Sequence, residues 1–198
     1  MKAVHIFRVA ALALTLATVS CTDSVRQGTG SSFLIVNELQ ASSGAEPEQF
    51  GGTLQSDVIT IVDGNPTIFS DLGQVTLAVG LKDPGRATTP TQNLAITVDR
   101  YHVKFVRSDG RNTPGVDVPY PFDGSFTATV QPAGTVTVAF PLVRHNAKQE
   151  APLGALAFNP VIVSTIAEIT FYGRDLTGHE VTTTARIGVD FGNFADPD

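Results

Sequence analysis

Alternation of apolar and polar side chains is the feature of this 198-residue sequence that most limits its fold. The alternation is regular in four segments, residues 74–82, 125–130, 134–143 and 179–191. A period of two places alternate side chains on opposite faces of a strand, so that one face packs on a core and the other meets solvent. These four segments are therefore predicted to be half-buried β-strands.

Less regular alternation predicts four more strands, in residues 33–39, 57–62, 94–107 and 165–174. Within 94–107 the apolar register shifts by one residue near Asp99 and Arg100, which predicts a β-bulge. Clusters of Asp, Asn, Gly and Pro separate the strands, as turn dihedrals require.

Two short connections have the composition of hairpin turns. The DLTG sequence at 175–178 is a four-residue, glycine-ending loop between two predicted strands, and QPAG at 131–134 predicts a second hairpin. Residues 148–158 contain Pro152 and Gly154 and are predicted to form a loop or a single helical turn.

About eight strands with no alternation of strands and helices predict an all-β fold, an antiparallel β-sandwich. The closing stretch AEITFYGRDLTGHEVTTTARIGVDF resembles the last two strands of immunoglobulin-like and fibronectin type III-like modules of bacterial surface proteins. The resemblance implies an immunoglobulin-like sandwich. The chain exceeds the roughly 100 residues of one such module, so long loops or extra strands are expected, as at 108–124 and 144–159. A closed or partly open β-barrel is the alternative.

The N-terminal segment has the layout of a secretory signal peptide: Lys2 and Arg8, an apolar run from Val9 to Val19, and small residues up to Ser20. The run is about half of the ~20 apolar residues that a spanning helix needs, and no comparable run follows it. An exported protein is predicted.

Cys21, the only cysteine of the chain, ends this segment. Thr18-Val19-Ser20-Cys21 resembles a bacterial lipobox, with threonine at Thr18 where the family usually has leucine. The resemblance implies that Cys21 becomes the first residue of the mature chain and carries acyl chains, two or more of which anchor stably. Thr22, rather than an aspartate, resembles lipoproteins of the outer membrane. The alternative is a plain signal peptide with an incidental thiol at Cys21.

Composition divides the chain into four parts. Residues 1–20 are the predicted signal peptide, 21–32 a lipidated flexible tether of polar, Gly/Ser-rich composition, 33–194 a single domain, and 195–198 a C-terminal tail. Removal of 1–20 leaves 11 Lys and Arg against 19 Asp and Glu, a net charge of −8. That charge disfavours nucleic acid as a partner and electrostatic attachment to anionic lipid. Membrane contact is expected through the acyl chains alone.

The residues that could carry chemistry are few. His102, His145 and His179 lie in different predicted elements, and the sequence has neither a G-x-S-x-G elbow nor a cysteine pair for zinc. No catalytic residue and no cofactor is predicted. Calcium candidates occur in the 108–124 loop, although not at EF-hand spacing, and turn formation explains them equally well; they are Asp109, Asn112, Asp117 and Asp123.

Aromatic residues of the same loop are candidates for partner binding. Tyr120 and Phe122 flank Pro121 and could form an exposed contact surface. The favoured alternative is that Phe122 tucks under a sheet edge. Phe171 and Tyr172 are consecutive in a strand and must face opposite ways, which places Tyr172 on the outer face of a sandwich.

These features predict a lipid-anchored, non-enzymatic module of the bacterial envelope that binds, adheres or assembles with an unknown protein or glycan. One alternative is an exported hydrolase or carbohydrate-binding accessory domain with its site in 108–124. Another is a subunit of an oligomeric envelope complex, which predicts a large exposed apolar patch. The binding hypothesis rests on elimination and on analogy of fold.

Overall fold

The computed structural model describes residues 30–82 and 92–194, and these ranges hold ten strands and three short helices. The predicted signal peptide, Cys21 and the tail 195–198 lie outside the described residues. Among the residues that are described, no helix combines the length and apolarity needed to cross a membrane.

The strands are β1 (Ser32–Ser42), β2 (Thr53–Asp57), β3 (Thr60–Val62), β4 (Asn65–Thr67), β5 (Asp71–Leu81), β6 (Ile96–Val106), β7 (Phe122–Val130), β8 (Thr135–Val143), β9 (Val163–Asp175) and β10 (Glu180–Gly192). One α-helix, α1 (His145–Gln149), and 3-10 helices at Gln92–Leu94 and Leu153–Phe158 complete the described elements. The predicted turn at 148–158 is thus the end of α1 followed by a 3-10 helix.

Two sheets face each other across the core. The smaller sheet has the order β1-β5-β8 and the larger β2-β10-β9-β6-β7, while β3 and β4 form a separate hairpin. All pairs are antiparallel except β2, which runs parallel to β10. The two N-terminal strands join opposite sheets, and the final hairpin lies inside the larger sheet. The predicted all-β antiparallel sandwich is confirmed.

The predicted β-bulge and the first predicted hairpin are confirmed. The pairing of β6 with both of its neighbours shifts register between Val98 and Arg100. Strands β9 and β10 form a hairpin in which Arg174 lies opposite Glu180.

The second predicted hairpin is wrong. The turn at 131–134 is present, and the Gly134 amide donates to the Gln131 carbonyl at 3.0 Å. The strands that it joins belong to different sheets, because β7 pairs with β6 and β8 pairs with β5. A tight turn sets the local chain reversal, but the strand partners are chosen by packing elsewhere in the sandwich.

Five aromatic rings form the centre of the core between the sheets: Tyr101, Phe122, Phe126, Phe140 and Phe171. Ring centroids of neighbouring members lie 4.9 to 6.3 Å apart, in the range at which tilted aromatic pairs attract. The buried Tyr101 hydroxyl donates to the Pro141 carbonyl at 3.1 Å and so satisfies its one polar group.

The sandwich has two distinct ends. Ser32 pairs with Leu81, and a Cβ placed on Gly30 would lie 3.2 Å from Asp175 Oδ2, so the chain enters beside the β9–β10 turn. We call this the N-terminal end. The far end lies at the start of β9 and holds the β3–β4 hairpin, the 107–121 loop and the 144–162 segment. The 13 residues of β9 separate the two ends by about 40 Å.

Candidate functional site

The loop carboxylates proposed for calcium are engaged in local contacts. The Asp109 carboxylate accepts hydrogen bonds from Arg107 at 2.6 and 3.1 Å and from Arg111 at 3.0 Å. These bonds hold the pKa of Asp109 well below its usual range. The Asn112 side chain accepts from the Arg107 amide at 2.6 Å and donates to the Arg107 carbonyl.

The other two calcium candidates have different neighbours. Asp117 accepts from the Thr113 amide at 3.1 Å. Asp123 lies on β7, where it contacts His102 Nδ1 at 3.2 Å and Arg100 at 3.6 Å. The structure does not assemble the four candidates into one ligand set, and no group of three or more His, Cys, Asp or Glu in residues 30–82 and 92–194 is arranged to hold a metal.

The two aromatic candidates have opposite environments. Phe122 begins β7, is only 7% exposed and packs edge-on against Tyr101, while the Arg144 guanidinium lies 4.2 Å from its ring centre. It belongs to the core, as the alternative interpretation predicted, and is not available to a partner. Tyr120 is 54% exposed at the far end.

The three histidines lie on separate parts of the domain. His102 is on β6, His145 begins α1 at the far end, and His179 follows the β9–β10 turn. Nδ1 of His179 contacts both Thr177 Oγ1 at 2.7 Å and Asp175 Oδ2 at 3.1 Å. Because one ring nitrogen meets both groups, the trio is not the relay of a hydrolase, in which a base bridges nucleophile and acid through two nitrogens.

Asp175 instead organises the β9–β10 turn. Its carboxylate accepts from the amides of Thr177 and His179, each at 2.9 Å, and from the Thr177 hydroxyl at 2.7 Å. Burial raises the pKa of Asp175, but these hydrogen bonds outweigh it and leave the pKa below its usual value.

The outer face of the larger sheet is polar and is organised around the bulge of β6. Strand pairing places Ser125, Arg100, Tyr172 and Thr182 in one row across four strands. The Arg100 guanidinium covers the Tyr172 ring at 4.0 Å. Depressions of about 170 and 700 Å³ adjoin Arg100.

Charges on this face nearly balance. Its four bases are Arg100, Lys104, Arg174 and Arg186, and its five acids are Asp99, Asp123, Glu168, Glu180 and Asp190. Most of them pair across strands, as Arg186 does with Glu168 at 2.8 Å. The face can hydrogen-bond a polar molecule, but its net charge of −1 is small.

Exposed large apolar side chains concentrate at the far end of the sandwich. Ten are exposed in the described part of the chain. Eight belong to the far end or its margin: Ile61, Val62, Val116, Tyr120, Phe158, Val161, Ile162 and Ile166. The two at the N-terminal end are Phe33 and Leu176. The far end is therefore the candidate functional site.

Phe158 is the most exposed of these residues, at 92%. It ends a 3-10 helix that is anchored by the buried side chains of Leu153 and Leu156. The chain beyond it is also fixed, because the Asn159 amide donates to the Leu156 carbonyl and the Asn193 side chain donates to the Ala157 carbonyl. A well-anchored backbone thus holds Phe158 in solvent.

Of the residues on this surface, sequence reasoning identified only Tyr120. It treated 144–159 only as a long connection. A usable signal was present in the run Val161-Ile162-Val163, where three consecutive apolar residues break the period of two and cannot all face the core.

Comparison of the chain with protein-family models, with curated proteins and with solved structures finds no match.

Proposed function

We propose that the chain is a non-enzymatic binding module of the bacterial cell envelope, held at the outer membrane by acyl chains on Cys21, whose far end binds a protein partner. The observation that carries this proposal is the position of eight of the ten exposed large apolar side chains at the end opposite to chain entry. A concentration of exposed apolar side chains at one end of a domain favours an interaction site more than singly scattered residues do.

The geometry suits an anchored binder. Nine residues, 22–30, follow Cys21 up to the N-terminal end of the sandwich, and the far end lies about 40 Å beyond it along β9. An anchor on Cys21 therefore leaves the apolar residues facing away from the bilayer. The separation of the histidines counts against the hydrolase alternative.

Phe158 and Tyr120 are the residues expected to dominate binding. Aromatic side chains bring a large apolar area at small entropic cost, and they are enriched among the few interface residues that carry most of the affinity. The anchored backbone around Phe158 reduces the ordering cost further.

The binding proposal is tested by capture from the native envelope. Full-length wild type and the variants Phe158→Ser and Ile162→Ser are expressed in the native host, crosslinked and purified. We expect each far-end variant to recover a reproducible partner about tenfold less well, a loss that corresponds to about 1.4 kcal/mol.

Leu176→Ser is the matched control, because Leu176 and Ile162 are almost equally exposed, at 59% and 58%, but lie at opposite ends. Capture that depends on Leu176 and is insensitive to Phe158 and Ile162 would contradict the assignment of the far end.

The anchor is tested separately by metabolic labelling with a fatty acid. Wild type should incorporate label and Cys21→Ala should not. Labelling that survives the substitution would refute the anchor without bearing on the far end.

A subunit of an oligomeric envelope complex is the second candidate function, because that hypothesis predicted an exposed apolar patch. In that case the crosslinked product contains further copies of this chain, and its mass is a multiple of the monomer mass.

A further inference from the structure

A fully buried acid and amine contact each other at the far end. Asp71 is the first residue of β5 and Lys148 lies in α1, 77 positions later. Lys148 Nζ is 2.7 Å from Asp71 Oδ1, and the side chains are 1% and 0% exposed. Because a C–O bond is about 1.2 Å long, Nζ lies within about 4 Å of the carboxyl carbon.

As an ion pair this contact is incompletely satisfied. An ammonium group has three donors, and the hydrogen bonds of the described residues give Nζ one acceptor, Asp71 Oδ1. Burying two charges is costly unless their remaining hydrogen-bonding capacity is filled. Burial also raises the pKa of Asp71, in opposition to Lys148 and to the hydrogen bonds from Ser56 and Gly44. Both facts work against a charged carboxylate at Asp71.

Two further donors point at the same carboxyl group. The Gly44 amide donates to Asp71 Oδ1 at 2.9 Å, and the Ser56 hydroxyl donates to Oδ2 at 2.6 Å. Fixed donors on an acyl oxygen stabilise the negative charge that develops when a nucleophile adds to the carbon. The site therefore holds an amine nucleophile, an acyl carbon and donors for both acyl oxygens.

We propose that Lys148 and Asp71 react with each other to form an intramolecular amide bond. Counted from the carboxylate and the ammonium group, Nζ first loses a proton, and its lone pair then forms the new bond to Cγ. The Cγ–Oδ2 bond breaks with its electron pair, and Oδ2 leaves as water with two of the three protons of Nζ, which keeps the third as the amide N–H. Oδ1 remains as the amide oxygen and keeps the hydrogen bond from Gly44. No atom is oxidised or reduced.

The fold supplies two conditions that this condensation lacks in water: contact between the reactants and the exclusion of water. Holding two reactants in contact is equivalent to an effective concentration of about 10⁵ M or more, and the closed environment excludes the water that would reverse the reaction. The covalent bond would close the chain between β5 and α1, and α1 leads directly into the segment that carries Phe158. It would reduce the conformational freedom of the unfolded chain, as a disulfide does in proteins with a cysteine pair.

Peptide mass spectrometry of the purified full-length chain tests the proposal. A protease that cleaves after lysine should leave Lys148 uncut and release a branched peptide containing Asp71 and Lys148, lighter by one water than its two parts. Recovery of both peptides at full mass from the folded wild type would overturn the proposal. This readout needs no variant and is independent of the partner assigned to the far end.

Two variants identify the chemistry. Lys148→Arg should abolish the branched peptide. Asp71→Asn should yield a branched peptide of the same mass as wild type, because the asparagine amide loses ammonia where the acid loses water. A branched peptide that persists in Lys148→Arg would show that another pair reacts.

The donor role of Ser56 is tested by the rate at which newly synthesised chain becomes crosslinked. We expect Ser56→Ala to slow the reaction at least about tenfold, since loss of one such donor has a large effect on acyl chemistry. Ser42→Ala is the matched control, because Ser42 is equally buried but its hydroxyl has no hydrogen-bond partner among the described residues. Equal rates in wild type and Ser56→Ala would remove Ser56 from the mechanism.

Discussion

The most specific structural prediction concerns Gly124, the third residue of β7. A Cβ at this position would lie 2.2 to 2.5 Å from three atoms of the Tyr101 side chain, far inside van der Waals contact. Gly124 does not have a positive φ. A substitution here therefore tests packing alone, and alanine would otherwise be tolerated in a strand at least as well as glycine.

The expected cost of Gly124→Ala follows from the surroundings of the ring. Tyr101 packs 4.9 Å from Phe140 and donates to the Pro141 carbonyl, so it cannot move aside freely. Overfilling a packed core costs about 1–3 kcal/mol, and loss of the hydrogen bond would add about 1 kcal/mol. We expect unfolding to be easier by about 3 kcal/mol, which lowers the midpoint of a domain this size by roughly 6–12 °C.

The assay is urea unfolding of the full-length chain, with a double-mutant cycle. Tyr101→Leu removes the ring that the new methyl group meets, so Gly124→Ala should be much less destabilising in that background. A coupling free energy of about 2 kcal/mol is expected, within the range of directly contacting residues.

Gly188→Ala is the matched control. Gly188 also lies within a strand, but the nearest atom to its added Cβ is Thr53 Cγ2 at 3.5 Å, an ordinary contact. Its free energy of unfolding should stay within about 0.5 kcal/mol of wild type. Equal effects of the two alanines, or no coupling between Gly124 and Tyr101, would refute the packing argument.

Three further predictions concern Asp175, Arg100 and Phe158. Asp175→Ala should lower the free energy of unfolding by about 1–3 kcal/mol near neutral pH, because two amides and a hydroxyl lose their acceptor. Folding lowers the pKa of Asp175, so this difference in the free energy of unfolding should be complete above about pH 4 and should shrink as the pH falls below it. Urea titrations at a series of pH values measure the change. Arg100→Ala should cost less than about 1 kcal/mol in the same assay despite the stacking on Tyr172, because exposed cation–π pairs are weak. Phe158→Ser should leave the thermal midpoint unchanged within about 2 °C, since a side chain that is 92% exposed contributes little packing; a larger drop would mean that Phe158 is part of the core.

Local patterns predicted most strands, because the alternation of side chains along a strand depends on residues that are close in the sequence. The alternation in 179–191 matches the buried inner face of β10, and the register shift at Arg100 is present in both pairings of β6. The loop at 175–178 joins two strands that do pair with each other, as its length and its terminal glycine predicted.

Predictions of which strands pair and of what a side chain contacts were less accurate. The turn at 131–134 was placed correctly, but its two strands pair with β6 and β5, which the turn does not encode. The carboxylates of 108–124 suggested a cation, yet Asp109 and Asp117 bond to groups within four residues of themselves. Composition identified side-chain oxygens that could bind a cation, but not the direction in which they point.

The sequence alone determined the all-β class, the bulge and the final hairpin, because these follow from side-chain periodicity and turn chemistry over a few residues. The tertiary structure alone decided the strand order, the apolar far end, the fit of Tyr101 against Gly124, and the meeting of Asp71 with Lys148. Each of these joins residues that are distant in the chain, and such contacts are selected by the packing of the whole sandwich rather than by any local preference.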